Sequence, residues 1–98
     1  MSELTTEQTI PVRIPTPLRG LTGNKDLVSA RGKTIGELLK DLQAQFPGVG
    51  DRLFDQTGAL RRFVAVYVNG EDIRFLQDQQ TPVRPEDEVS IVPAVAGG

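Results

Sequence analysis

Hydrophobic residues near the start of the chain recur at the two-residue period of a β-strand. Ile10, Val12 and Ile14 share this period, which predicts a strand with one buried face. Proline cannot donate a backbone hydrogen bond, so Pro11 and Pro15 indicate that this strand has an open side or a bulge.

A second strand follows the first after a segment that is rich in turn-forming residues. Residues 16–24 contain the proline and glycine residues that are typical of a turn. Residues 25–30 then predict a short strand in which Val28 and Ala30 face inward. Because the two strands are so close in sequence, they indicate an antiparallel hairpin.

The strongest periodic pattern is that of an amphipathic helix. Thr34 and Glu37 have the spacing of a capping box, in which the Thr34 hydroxyl accepts from the Glu37 N–H and the Glu37 carboxylate reaches back. The Pro47-Gly48 pair predicts the end of the helix. One apolar face is expected to lie across a sheet, and it contains Ile35, Leu38, Leu39, Leu42 and Phe46.

The next residues predict a loop and then a strand that is apolar on both faces. Residues 49–61 mix glycine and charged residues around Leu53 and Phe54, which we expect to seal a loop against the core. Residues 63–68 have the continuous apolar pattern that is typical of a central strand. The Asn-Gly pair that follows predicts a tight turn.

The last part of the chain predicts two more strands and an exposed turn. Residues 73–75 suggest a brief strand, and residues 81–87, with two prolines, suggest an exposed turn. Residues 88–92 predict a final strand with Val89 and Ile91 on one face, which a proline ends. The order strand, strand, helix, strand, short strand, strand predicts an α+β fold with a mixed sheet packed on one main helix.

The chain divides into one domain and two flexible ends. Residues 1–9 are polar and without period, which predicts an N-terminal extension. Residues 10–93 carry every predicted element and form the domain, and residues 94–98 form a flexible tail. No segment resembles a membrane span or a signal peptide, so we expect a cytoplasmic protein that does not bind membranes.

The composition argues against independent catalytic chemistry. The 98 residues suffice for one domain, and they include no cysteine, histidine or tryptophan. The chain therefore offers no thiolate, no imidazole base, and no cysteine or histidine as a metal ligand. Eleven basic and 13 acidic residues give a net charge of −2, which argues against nucleic-acid binding.

The C-terminus is the strongest candidate for chemistry. The chain ends in Ala94, Val95, Ala96, Gly97 and Gly98, none of which has a charged side chain. Glycine has no Cβ, so Gly97 and Gly98 can pass through a channel too narrow for other residues. The functional group presented is the terminal carboxylate, which is inert to nucleophiles until activated, usually by adenylation. Sulfide transfer to the acyl-adenylate would yield a thiocarboxylate, and an amine acceptor would yield an isopeptide.

The strand order, the segment 85–93 and the terminal Gly97-Gly98 resemble the ubiquitin-like β-grasp sulfur carriers. That family includes the thiamin sulfur carrier and the small subunit of molybdopterin synthase. The resemblance covers about residues 10–98 and is strongest to the actinobacterial carriers that supply sulfur for cysteine synthesis. It is carried there by segments 62–64, 67–69, 71–72, 74–75 and 93–98.

The resemblance implies a carrier that binds no cofactor or metal and contributes no catalytic residue. A ubiquitin-activating-like enzyme would adenylate Gly98 with ATP and Mg²⁺, and a sulfur donor would convert it to the thiocarboxylate. In the cysteine branch, a pyridoxal-phosphate cysteine synthase would accept the sulfur, and a metalloprotease would release the cysteine formed on Gly98. In the molybdopterin branch, the tail would enter the large subunit of molybdopterin synthase.

The candidate site residues fall into two groups. Gly98 would carry the thiocarboxylate, and Gly97, Ala96 and Val95 would thread the tail into a partner. A second group could form a partner surface, because an exposed apolar face needs a cover and arginines can steer an acidic partner. This surface would comprise Phe75, Phe63, Tyr67, Arg62 and Arg74.

Other interpretations of these residues remain open. Residues 49–61 could cover the apolar face, and the arginines, with Arg61, could be ordinary surface charge. Glu86, Asp87 and Glu88 form an acidic cluster, which we expect to face solvent because consecutive residues do not converge on a metal.

Three other functions remain open at this stage. The chain could be the sulfur-carrying subunit of molybdopterin synthase, or a ubiquitin-like modifier that is conjugated to lysines through Gly98. It could also be an interaction module in which the terminal glycines have no role. We expect a monomer when free, because the tail has to enter the active sites of partners.

Overall fold

The computed structural model describes residues 9–62 and 64–93, which form one five-stranded mixed sheet and several helical segments. The strands are β1 (Thr9–Arg13), β2 (Leu27–Arg31), β3 (Val64–Val68), β4 (Glu71–Asp72) and β5 (Val89–Pro93). The helices are α1 (Ile35–Gln45) and α2 (Pro47–Leu53), with 3₁₀ segments at Thr16–Leu21, Ile73–Phe75 and Asp78–Gln80.

The sheet has the strand order β2-β1-β5-β3-β4. The predicted hairpin is confirmed, because β1 and β2 are antiparallel along their whole length. β1 and β5 run parallel, while β5 with β3 and β3 with β4 are antiparallel. The predicted mixed sheet on one main helix is therefore confirmed. The strand predicted at residues 63–68 is β3 (Val64–Val68), an interior strand that pairs with β5 and β4 and is mostly buried, while β5 occupies the middle of the sheet.

The proline in β1 has the open side that the sequence predicts. β5 pairs with β1 only at Val12 and Arg13, so Pro11 lies beyond that ladder. On its other side β1 pairs Pro11 with Ser29 of β2. On the side of β1 that faces β5, Pro11 thus has no strand partner in the described part of the sheet, and the N–H that proline lacks leaves no ladder hydrogen bond unmade.

Helix α1 packs its predicted apolar face against the sheet. Ile35, Leu38, Leu39 and Leu42 are fully buried, and Phe46 packs partly against the same core. The Thr34 hydroxyl accepts from the Glu37 N–H at 3.3 Å, as predicted. The Glu37 carboxylate reaches back by one residue more than a capping box requires, and accepts from the Lys33 N–H at 2.9 Å.

Residues 47–53 form a second helix where the sequence predicts a loop. α1 ends before the Pro47-Gly48 pair as expected, but Pro47 then occupies the first turn of α2, where its missing N–H costs no hydrogen bond. Glycine disfavours a helix, so the two glycines in this segment lead to the prediction of a loop from the sequence. The predicted seal is confirmed, because Leu53 is fully buried and Phe54 packs partly against the core.

Two more predictions in the second half of the chain are wrong. Residues 73–75 form a 3₁₀ turn and not a strand, because pairing with β3 stops at Asp72. Residues 81–87 are not simply exposed, because Thr81 and Val83 are buried. The Ile35 N–H donates to the Thr81 carbonyl at 2.9 Å, and the Val83 N–H donates to the Lys33 carbonyl at 3.0 Å. These bonds tie the segment to the start of α1.

Candidate functional site

The tail residues that carry the predicted chemistry lie outside the described residues. This applies to Gly98, Gly97, Ala96 and Val95, and also to Phe63 of the predicted partner surface. The described chain ends at Pro93, the last residue of β5, which pairs with Val64 at the start of β3. The tail therefore begins at the end of the middle strand of the sheet, beside Val64.

Arg61 and Arg62 lie in the turn that leads into β3, next to the origin of the tail. The Arg61 N–H donates to the Leu53 carbonyl at 2.8 Å, and the Val64 N–H donates to the Arg61 carbonyl at 3.0 Å. The Arg61 side chain is also fixed, because its Nε donates to the Asp51 carbonyl at 3.2 Å. Arg62 is exposed. The turn thus anchors one arginine against α2 and presents the other to solvent.

A groove of about 340 Å³ runs between this turn and the 3₁₀ segments that follow β4. Arg61 and Arg62 line one side of it, and Arg74 lines the other. Asp72 and Asp78 contribute carboxylates to the same groove. The structure therefore brings two of the predicted partner residues, Arg62 and Arg74, to one surface feature.

The charge of Arg74 is held in place by a carboxylate of low exposure. Arg74 Nε lies 3.2 Å from Asp72 Oδ1, and its Nη2 lies 2.9 Å from Asp72 Oδ2. Hydrogen bonding from the Arg74 side chain lowers the pKa of Asp72 below its usual range. The same hydrogen bond, together with the negative charge of Asp72, raises the pKa of Arg74. Both groups are therefore charged at neutral pH.

Phe75 is the most exposed large hydrophobic residue among those described. It is 82% exposed at the end of the 3₁₀ turn, and the next residue, Leu76, is 38% exposed. Residues 49–61 therefore do not cover Phe75. Tyr67 is half-buried and pairs with Asp72 across β3 and β4. Tyr67 and Arg74 are thus both neighbours of Asp72, the first as its strand partner and the second through an ion pair, while the contribution of Phe63 stays a prediction.

The acidic residues at 86–88 act within the fold. Asp87 accepts from the Arg84 N–H at 2.9 Å and from the Asn69 side-chain amide at 3.1 Å. Glu88 lies 3.4 Å from Arg13 in an exposed ion pair. Within residues 9–62 and 64–93, no group of three or more acidic residues could hold a metal ion. Nor does any helix in those ranges have the length and apolar character to cross a membrane.

Comparison with known proteins connects this architecture to one family. The model of the ThiS family matches residues 12–98. The sulfur carrier protein CysO of Mycobacterium tuberculosis is 47% identical over 91 residues, which cover 91% of this chain and 98% of that protein. A chain of the Amycolatopsis orientalis BexX/CysO complex has a TM-score of 0.83 at 42% identity, covering 91% of this chain and 99% of its own.

A fourth similarity concerns the fold alone. The solution structure of small archaeal modifier protein 1 from Methanosarcina acetivorans has a TM-score of 0.84 at 23% identity, covering 96% of this chain and all of that one. The predicted ubiquitin-like β-grasp fold is thereby confirmed. The family match spans most of the domain and reaches the last residue of the tail. The chain therefore belongs to the ThiS family and is a CysO-like sulfur carrier protein, not an enzyme.

Proposed function

We propose that this carrier holds sulfur as a thiocarboxylate on Gly98 and delivers it in the synthesis of cysteine. The observation that carries the proposal is the 47% identity to CysO, together with a family match that extends through Gly97 and Gly98. The terminal carboxylate is the group that such a tail can present, because its last residues have no reactive side chain.

The chemistry takes place in two steps on a partner enzyme. The Gly98 carboxylate attacks the α-phosphate of ATP, with Mg²⁺ on the phosphates, and pyrophosphate leaves. A sulfur donor then supplies sulfide, which attacks the acyl-adenylate carbonyl and displaces AMP. Gly97, Ala96 and Val95 pass through the entrance of the enzyme, where small side chains permit a close approach. The ATP and Mg²⁺ sites belong to the activating enzyme.

The acceptor is a pyridoxal-phosphate cysteine synthase, and its cofactor stays with that enzyme. The thiocarboxylate sulfur attacks the amino-acid intermediate there, and an acyl shift leaves cysteine amide-linked to Gly98. A metalloprotease then hydrolyses this amide and returns the free carrier. Each enzyme in turn binds the folded domain formed by residues 10–93. The free carrier is a monomer in the cytoplasm.

Mass spectrometry tests the thiocarboxylate directly. The carrier is incubated with its cognate activating enzyme, ATP, Mg²⁺ and sulfide, and its intact mass is measured before and after a thiol alkylator. The chain has no cysteine, so we expect a single alkylation that maps to Gly98. A carrier that is never alkylated but is recovered joined to lysines would replace this proposal with the protein-modifier function.

A second incubation tests the acceptor. The thiocarboxylate form is mixed with the cysteine synthase and its amino-acid substrate, and we expect a product whose mass is that of the carboxylate form of the carrier plus one cysteine residue. The molybdopterin alternative predicts no such adduct, and predicts instead that the thiocarboxylate form supports synthesis by the molybdopterin synthase large subunit. The two acceptors are therefore distinguished with the same carrier preparation.

A further inference from the structure

We propose that Arg62, Arg74, Phe75 and Leu76 form a docking surface for the enzyme that activates the tail. The complementary surface on that enzyme is an apolar pocket for Phe75 bordered by carboxylates for the two arginines. We call these four residues the Phe75 surface. The inference rests on the proposed function, because it concerns recognition by the activating enzyme.

The exposure of Phe75 is the first observation that supports docking. The other described aromatic residues, Phe46, Phe54 and Tyr67, are all half-buried, whereas Phe75 is 82% exposed. Leu76 extends the apolar surface beside it. Phenylalanine and arginine are both enriched in protein interfaces relative to the rest of a protein surface. Contact with a partner would remove this surface from water.

The turn that presents Phe75 is ordered before any partner arrives. Asp72 Oδ1 accepts from the Arg74 N–H at 2.9 Å, and the Leu76 N–H donates to the Ile73 carbonyl at 2.9 Å. Ile73 is buried and anchors the turn in the core. The backbone on both sides of Phe75 is thus fixed, so docking costs less conformational entropy than it would on a free loop.

The two arginines of the Phe75 surface lie near the origin of the tail. Arg62 and Arg74 line the same groove as Val64, and Val64 pairs with Pro93, where the described chain ends. An enzyme that binds the tail beside Val64 therefore also lies close to the groove and its two arginines. Docking on this surface and threading of the tail can occur together in one complex.

The charges on this surface select an acidic partner. Arg62 has no ion pair with any residue in the described ranges, and its side chain is exposed. Arg74 binds Asp72 through Nε and Nη2, which leaves its Nη1 available to a further acceptor. Asp78 also lines the groove, and its negative charge disfavours a partner carboxylate next to it. The carboxylates of the enzyme therefore belong next to Arg62 and beside Phe75.

The activating enzyme depends on the domain surface more than the later enzymes do. Before activation the tail offers only alanine, valine, glycine and a carboxylate, and none of these is a charged or polar side chain that an enzyme could recognise. After sulfur transfer, the thiocarboxylate itself distinguishes the carrier. The first enzyme in the cycle therefore needs side chains of the folded domain in order to choose this chain.

Adenylation kinetics test this docking. Pyrophosphate release by the cognate activating enzyme is measured with saturating ATP and varied carrier, for wild type, Phe75→Ser and Arg62→Glu. We expect KM for the carrier to rise about tenfold or more in each variant, with kcat within about a factor of two. Leu27→Ser is the matched control, because Leu27 is 51% exposed on β2 at the far edge of the sheet. Its KM should equal that of wild type.

A competition assay separates docking from threading. The full chain extended by one alanine after Gly98 presents no glycine carboxylate, yet keeps the Phe75 surface. It should inhibit adenylation of wild type competitively, and Phe75→Ser in the extended chain should weaken the inhibition about tenfold. Circular dichroism confirms that each variant is folded.

Three outcomes would overturn the inference. A Phe75→Ser carrier with the KM of wild type would show that the surface does not dock the activating enzyme. An increase in KM seen only with the cysteine synthase would assign the surface to the acceptor instead. A wild-type carrier that is not adenylated at all would refute the proposed function as well, so the two failures are distinguishable.

Discussion

Arg74 and Asp72 form a two-point ion pair, with Nε 3.2 Å from Oδ1 and Nη2 2.9 Å from Oδ2. The Asp72 side chain is only 10% exposed, whereas the Arg74 side chain is 56% exposed. The pair therefore joins the end of β4 to the 3₁₀ turn and directs a cation outward from a nearly buried carboxylate. The ion pair therefore stabilises the turn that carries Arg74 and Phe75.

The pair predicts a pH-dependent contribution to stability. Because the pKa of Asp72 is lowered in the folded protein, the carboxylate stabilises the fold above its unfolded pKa of about 3.9. That contribution is lost as the pH falls through the folded pKa. We expect Asp72→Asn to lower the free energy of unfolding by about 1–3 kcal/mol at pH 7, and the difference from wild type to shrink steadily below about pH 4.

Urea denaturation of wild type and Asp72→Asn between pH 2.5 and pH 7 measures this difference. Asp26→Asn, at an exposed position, is the control and should leave stability unchanged at pH 7. A difference between wild type and Asp72→Asn that stays constant down to the lowest pH would contradict the ion-pair interpretation.

Blocking the C-terminus should abolish sulfur acceptance without affecting stability. One alanine added after Gly98 moves the carboxylate away from the position at which it would be adenylated, and Gly97→Ala adds a Cβ to the threading segment. We expect no alkylatable product from the extended chain and a markedly slower reaction from Gly97→Ala. Both should melt within about 1 °C of wild type, because surface changes of this kind seldom alter stability.

The control for blocking is a chain with one alanine added at its N-terminus, which should accept sulfur at the wild-type rate. If the chain extended after Gly98 accepts sulfur as fast as wild type, the threading argument is wrong.

Gly32 should not tolerate a side chain. A Cβ at this position would lie 2.5 Å from the Leu38 backbone nitrogen and 2.9 Å from the Glu37 carbonyl carbon, so the start of α1 would have to move. We expect Gly32→Ala to destabilise the protein by about 1–3 kcal/mol. Gly20→Ala is a matched control, since a Cβ there meets nothing within 4 Å. Equal melting temperatures for the two variants would argue against this close approach.

Leu42 should be among the costliest core positions to truncate. It is fully buried where α1 crosses the sheet, so Leu42→Ala leaves a cavity that the surrounding side chains fill only in part. We expect a loss of about 2–5 kcal/mol in the free energy of unfolding. Chemical denaturation should show this loss, while Leu27→Ala, at a half-exposed position, should cost far less. Similar losses in the two variants would contradict the assignment of Leu42 to the core.

Local chemistry explains why some predictions from sequence succeed. Helix α1 follows from an apolar period and a capping threonine within a few residues of each other, and the Asn69-Gly70 turn follows from two residues that accept positive φ (54° and 85°). Two prolines lead to wrong predictions from the sequence. Pro47 suggests a stop and instead begins α2, while Pro82 suggests exposure although its neighbours Thr81 and Val83 are buried.

The sequence by itself determined the elements that depend on near neighbours: the amphipathic helix, the first hairpin, the inward faces of its strands, and a tail whose carboxylate is its reactive group. Only the tertiary structure decided that β5 lies between β1 and β3, and that Arg62 and Arg74 line one groove. Strand order and side-chain convergence arise from packing between distant segments, and hydrophobic periodicity specifies which face is buried but not which partner buries it.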